Sequence, residues 1–93
     1  MKFSDLQFKT FPGFPGDTCE HILAQTFFPN GYGVSVVRFS GSYGYEDGLY
    51  EVAVLQGTED NFDLCYDTPI TDDVIGYCDE QIIENIIKQV ESL

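Results

Sequence analysis

Toward the end of the chain, Ile82, Ile83, Ile86, Ile87, Val90 and Leu93 recur at helical spacing from about Asp79 onward, with Glu84, Asn85, Lys88, Gln89, Glu91 and Ser92 on the opposite side. At ~2 kcal/mol for each aliphatic side chain, this stripe represents on the order of ten kcal/mol of gross burial, which only a sheet face or a partner can supply. Asp79 and Glu80 in the first turn and Lys88 toward the end suit the helix dipole, so these charges have a structural explanation. The chain has 93 residues, enough for one core, and 1–93 is read as a single domain.

The rest of the sequence supplies the sheet. Phe3, Phe8, Phe11, Phe14, Phe27 and Phe28 alternate with Pro12, Pro15 and Pro29, which preclude a long helix. The run Phe11-Pro12-Gly13-Phe14-Pro15-Gly16 carries paired turn signals and fits a loop that drapes phenyl rings onto a core made elsewhere. A strand is expected within Cys19 to Phe28, then a type I′ turn at Asn30-Gly31 and a strand from Gly33 to Phe39. Ser40 to Gly48 is the most obvious contact loop. In Leu49 to Leu55, Tyr50, Val52 and Val54 share one face and Glu51 and Ala53 the other. Gln56 to Asn61 reads as a polar turn. In the following arm Phe62, Leu64 and Tyr66 are expected inside, with Asp63, Cys65 and Asp67 outside. Thr68 to Tyr77 is interrupted by Pro69 and Gly76 and reads as an ordered crossover anchored by Val74 and Ile75. The expected fold is α+β: a small antiparallel meander sheet of three or four strands, with one C-terminal amphipathic helix packed on one face.

Charge excludes several function classes. Sixteen Asp and Glu stand against 4 Lys and Arg, giving a net charge of −12 that repels nucleic acid phosphates and anionic membranes. No apolar run reaches the ~20 residues needed to cross a bilayer, and Met1-Lys2-Phe3-Ser4-Asp5 has no signal-peptide character, so a cytoplasmic location is expected. Cys19, Cys65 and Cys78 are odd in number and far apart, which points to reduced, packed thiols. Together with His21 they have ligand chemistry suited to zinc, but their spacing lacks the two short chelating pairs of zinc sites. No metal or other cofactor is expected.

Catalytic apparatus is equally sparse. The sequence has no Gly-x-Ser-x-Gly elbow and no Walker loop, and the glycines of Gly31-Tyr32-Gly33 belong to a turn. Nothing in the spacing selects a His21–Cys65 or His21–Cys78 pair, and Asp60-Asn61 and Asp72-Asp73 lack the pattern of a calcium loop. The expectation is therefore a protein that is not an enzyme. A small metal- or thiol-dependent enzyme is the more distant alternative.

The negative charge falls in adjacent doublets: Glu46-Asp47, Glu59-Asp60, Asp72-Asp73 and Asp79-Glu80. If loops at one end of a meander converge, the first three doublets, with Asp63 and Asp67, form a surface of closely spaced carboxylates that imitates phosphate before a basic groove. Tyr43 and Tyr45, and Tyr32 beside a glycine turn, would add apolar contact. The expected partner-binding residues are thus Tyr43, Tyr45, Glu46, Asp47, Glu59, Asp60, Asp63, Asp67, Asp72 and Asp73. The competing explanation is that acidic residues simply keep a small aromatic-rich domain soluble.

Three stretches carry a likeness: Asn30 to Val37; Tyr43-Gly44 with Gly48 to Val54; and Tyr66 to Tyr77. Over about half of its length the chain resembles a family of small acidic proteins encoded by tailed bacteriophages. The resemblance implies a setting, the cytoplasm of an infected bacterium, and no site residue. In that setting a small acidic protein fits an inhibitor that occupies a host or defence protein with a basic surface, a DNA mimic acting against nucleases or CRISPR complexes. A structural or assembly component that self-associates is the alternative.

Overall fold

In the computed structural model the structure describes residues 1–10, 21–39, 45–65 and 74–93. The strands are β1 (Lys9–Thr10), β2 (Ile22–Phe27), β3 (Tyr32–Arg38), β4 (Tyr50–Thr58), β5 (Asn61–Leu64) and β6 (Ile75–Cys78), followed by helix α1 (Glu80–Glu91). They form one antiparallel sheet in the order β1-β2-β3-β4-β5, and β6 also pairs with β4. β3 faces one side of β4, so β5 and β6 lie end to end along the other: β6 against Tyr50 and Val52, and β5 against Leu55 to Thr58.

The fold is thus α+β with a C-terminal helix, as the periodicity implies, but with more than three or four strands. The two additional elements are the ones the residues conceal. β1 is only 2 residues long. β6 falls where a crossover is expected; its pairing with β4 is irregular between Tyr50 and Val52, and Tyr77 adopts a left-handed φ of 57°. β4 runs on through Thr58, which reduces the expected polar turn to Glu59 and Asp60. The Phe11–Gly16 loop, Cys19, residues 40–44 and residues 66–73 lie outside the described residues.

One sheet face is built for the helix. Register sets Ala24, Val36 and Val52 in one cross-strand row and Thr26, Val34 and Val54 in the next. Against the valines lie Ile83, Ile86, Ile87 and Val90 of α1, all buried, with Cys65, Cys78 and Leu6 completing the cluster. Ile82 departs from expectation: it is 41% exposed, because a helix on a flat sheet buries a narrower stripe than its full apolar arc. Asp79 caps the helix, its Oδ1 accepting from the Ile82 amide at 2.8 Å. The N-terminal segment closes the flank. Phe3, Phe8 and Tyr50 form a mutual ring cluster with centroids 5.5–5.8 Å apart. The Phe3 amide donates to Glu84 Oε1 at 2.9 Å, and the Met1 amine pairs with Glu91 at 3.0 Å.

Two details correct the expected hairpins. The β2–β3 connection is a three-residue loop, not a type I′ turn. The Gly31 amide donates to Phe28 O at 3.2 Å, closing a turn through Pro29 and Asn30, and Gly31 alone of these takes a positive φ, 86°. Proline at the second turn position fixes negative φ and rules out the mirror-image turn. Asn30 is thereby free to reach the end of α1. Its Nδ2 donates to Val90 O at 2.9 Å, Leu93 O at 3.2 Å and Glu91 O at 3.3 Å, while its Oδ1 accepts from the Tyr32 amide at 3.1 Å. The second correction concerns β5. Cys65 is buried with the helix-side core, so Phe62 and Leu64, expected inside, lie on the outer face beside Leu55 and Gly57.

Asn30 joins a turn to the carbonyls at the C-terminal end of the helix, where acceptors outnumber backbone donors. Asn30→Ala should lower unfolding free energy by about 1–2 kcal/mol. Asn30→Asp should cost more, because a carboxylate cannot donate and sits at the negative end of the helix dipole. Urea denaturation of both variants checks this; equal losses, or none, would contradict the capping role.

Candidate functional site

The described doublets do not all gather at one end. Glu46 and Asp47 lie in a 3-10 turn (Tyr45–Asp47) just before β4, and Glu59 and Asp60 form the loop just after it; all four residues are exposed. The 9 residues of β4 separate these pairs by on the order of 30 Å. Asp79 and Glu80 follow Cys78, which pairs with Tyr50, so this doublet shares the Glu46-Asp47 end, and Asp79 is occupied in capping. The structure does bring Glu59, Asp60 and Asp63 together on the β4–β5 hairpin, where Asp63 stands opposite Gln56 and is exposed. Tyr43, Asp67, Asp72 and Asp73 lie outside the described residues, as does the side chain of Tyr45.

Local sequence explains the hairpin. Glu59 and Asp60 have no glycine between them, and neither takes a positive φ; that conformation falls on Gly57, at 131°. A side-chain carbon there would run into the Asn61 carbonyl, so only glycine permits this close approach. The Gly57 amide also donates to Gly31 O at 2.8 Å, tying the hairpin to the β2–β3 loop. On the outer face Phe62 packs against Phe27, with centroids 5.2 Å apart. A cleft of about 180 Å³ opens on this face, lined by Gln7, Lys9, Leu23, Gln25, Phe27 and Glu59.

A simpler regularity than the doublets lies in how the two signs are partitioned along the chain. Asp5, Asp17, Glu20 and Glu91 are matched in number by Lys2, Lys9, Arg38 and Lys88, and the other twelve of the 16 acidic residues all fall between positions 39 and 87. That segment contains no Lys or Arg, so it carries the whole net charge of −12. In the fold it supplies β4, β5, β6 and the first two turns of α1, whereas β1, β2 and β3 come from the segment whose charges balance. Among the described residues β1, β2 and β3 carry Lys9 and Arg38 and no acid, whereas β4 and β5 carry Glu51 and Asp63 and no base, so the sheet runs from a cationic edge at β1 to an anionic edge at β5. Counting charges in blocks between cations, instead of seeking adjacent pairs, would have shown this from the sequence.

The two described thiols are on the helix side, and the histidine lies at another strand. Cys65 and Cys78 are buried free cysteines on the helix side. His21 is buried at the start of β2 with its ring 5.7 Å from that of Phe39. β3 and β4 stand between β2 and β6, so the backbone at His21 is about 14 Å from that at Cys78 by strand spacing. Among the described residues no group of three or more His, Cys, Asp or Glu is placed to hold a metal ion. Among them, too, no helix is long and apolar enough to cross a membrane. The Cys78 thiol donates to Ile75 O at 3.4 Å, and burial, reinforced by the nearby charges of Asp79 and Glu51, pushes its pKa from 9.0 up to about 11. A thiol so held is neutral at physiological pH and a poor nucleophile.

No family model, curated protein or solved structure matches the chain.

The raised Cys78 pKa makes stability depend on pH in a definite direction. The folded state holds the proton more tightly than the unfolded state, so the stabilisation is complete below pH 9.0 and is lost as pH rises toward about 11. The loss should reach about 2 kcal/mol by pH 11. Measured as the difference in urea stability between the native chain and Cys78→Ala, it is isolated from contributions common to both. A difference that stays constant from pH 8 to pH 11 would refute the assignment.

Proposed function

We propose that this protein acts by binding another protein, presenting the carboxylate-rich half of its sheet to a basic surface that otherwise holds nucleic acid phosphates. The observation that carries this reading is the partition of charge: the entire −12 lies in residues 39–87, and of the strands this segment supplies, β4 and β5 carry Glu51 and Asp63 and no base, with Glu59 and Asp60 in the loop between them. Solubility alone requires no such partition, since interspersed charges of both signs serve it as well. A one-signed flank raises the local concentration of a cationic partner and speeds encounter. The carboxylates of Glu59, Asp60 and Asp63 fall within a few residues of one another on one exposed hairpin, and so reinforce one another's field.

The partner defined by this chemistry is a protein whose Lys- and Arg-rich groove contacts phosphates. In the setting that the resemblance to phage-encoded proteins implies, it is a host or defence protein, and the chain inhibits it by occupying that groove. Glu46 and Asp47, some 30 Å from the hairpin by the length of β4, extend the same anionic flank.

Immobilised protein should retain a nucleic-acid-binding protein from bacterial lysate, and duplex DNA should displace it. Replacing Glu59, Asp60 and Asp63 with Lys should reduce retention at least tenfold, as should raising salt from 0.1 to 0.5 M. Retention of nothing specific, or retention indifferent to DNA, salt and charge reversal, would refute the reading.

A further inference from the structure

We infer that the outer edge of β5 is a docking edge, which an extended Lys- and Arg-rich segment of the partner joins as an added strand. The inference rests on the reading above for the sign of the partner's charge, and on backbone geometry for the mode of attachment. β5 ends the strand order, so β4 pairs with only one of its edges. The Cys65 amide donates to Val54 O at 2.8 Å, and with Leu55 opposite Leu64 this fixes the alternation. Asn61, Asp63 and Cys65 turn their backbone groups to β4, while Phe62 and Leu64 turn theirs outward. Among the described residues these outward groups meet no partner.

Folded proteins ordinarily guard such an edge with lysine, proline, a bulge or extreme shortness. The opposite edge shows that guard, because β1 is 2 residues long and carries Lys9. The four residues of β5, Asn61-Phe62-Asp63-Leu64, include neither lysine nor proline. Their one charge is Asp63, with Glu59 and Asp60 in the adjoining loop. These carboxylates repel a second copy of a chain whose net charge is −12 and attract a cationic strand. Leu64, 53% exposed on the outer face, offers an apolar contact for the alternate side chains of such a strand.

The test uses three synthetic octapeptides. One alternates Lys and Val; the second has the same sequence with every other amide N-methylated; the third alternates Glu and Val. The Lys–Val peptide should bind the full chain and slow hydrogen exchange of the Phe62 and Leu64 amides at least tenfold. N-methylation should weaken binding at least tenfold without changing charge, and the Glu–Val peptide should not bind. Leu64→Pro should also abolish binding. It removes an amide that β4 does not use, and an unchanged helical circular dichroism signal confirms that the variant is folded. Should the variant not fold, the N-methylated peptide decides by itself.

If the Lys–Val peptide and its N-methylated form bind equally, with salt sensitivity but no protection of Phe62 and Leu64, the edge inference is wrong while the charge-based function stands. If the Glu–Val peptide protects the edge as well as the Lys–Val peptide does, the cationic occupant is wrong and the function proposed above fails with it. Protection that rises with protein concentration and no peptide would assign the edge to self-association, and absence of any binding would overturn the inference.

Discussion

The contact on which the structure depends is that between the aliphatic stripe of α1 and the valine rows of β3 and β4. Ile83, Ile86, Ile87 and Val90 meet Val34, Val36, Val52 and Val54, all of them buried. Aliphatic side chains of this size, at ~2 kcal/mol each, are the main resource a 93-residue chain has against the entropy of ordering. Other features are arranged to hold that contact in place. Asp79 starts the helix, Asn30 closes its end from the β2–β3 loop, and Glu84 and Glu91 fasten the N-terminal segment along it.

Committing one sheet face to the helix has an electrostatic consequence. Carboxylates cannot enter that core without partners, so they must occupy loops, edges and the opposite face. The chain places them unevenly. The strands on the β1 side carry Lys9 and Arg38 and no acid, and the charged residues of the strands that follow residue 39, Glu51 and Asp63, are acidic alone. Helix packing and anionic flank are therefore separate outcomes of one layout: β4 contributes Val52 and Val54 to the core, and its two ends carry Asp47 and Glu59.

Much of this layout was legible in the sequence. The helix could be read because its period repeats over several turns, β3 because β-branched residues run through it, the first part of β4 because its faces alternate, and β2 only because its segment is too short and uncapped for a helix. Ile82 was included in the buried stripe because periodicity gives an arc and cannot give the width of the surface it meets. The face of β5 was inverted because Phe62 and Leu64 are apolar and Asp63 is not; what decides is Cys65, small and buried, together with the second apolar contact that Phe27 and Leu55 provide on the outer face. Asn30 was recognised as a turn residue, whereas its helix-capping role depends on carbonyls sixty positions away. β6 was hidden by Gly76 and by the left-handed Tyr77, which is 58% exposed. Of the candidate site, Glu59, Asp60 and Asp63 do adjoin, but convergence of the doublets does not follow from a meander whose central strand spans 9 residues.

The central claim is that the anionic field is one-sided. Paired measurements with a cationic and an anionic nitroxide of equal size read this directly, as the ratio of paramagnetic relaxation enhancements at each backbone amide. A one-sided field predicts a ratio strongly favouring the cationic probe along β4 and β5 and far smaller along β1 and β2. A ratio that is uniform around the molecule would contradict it.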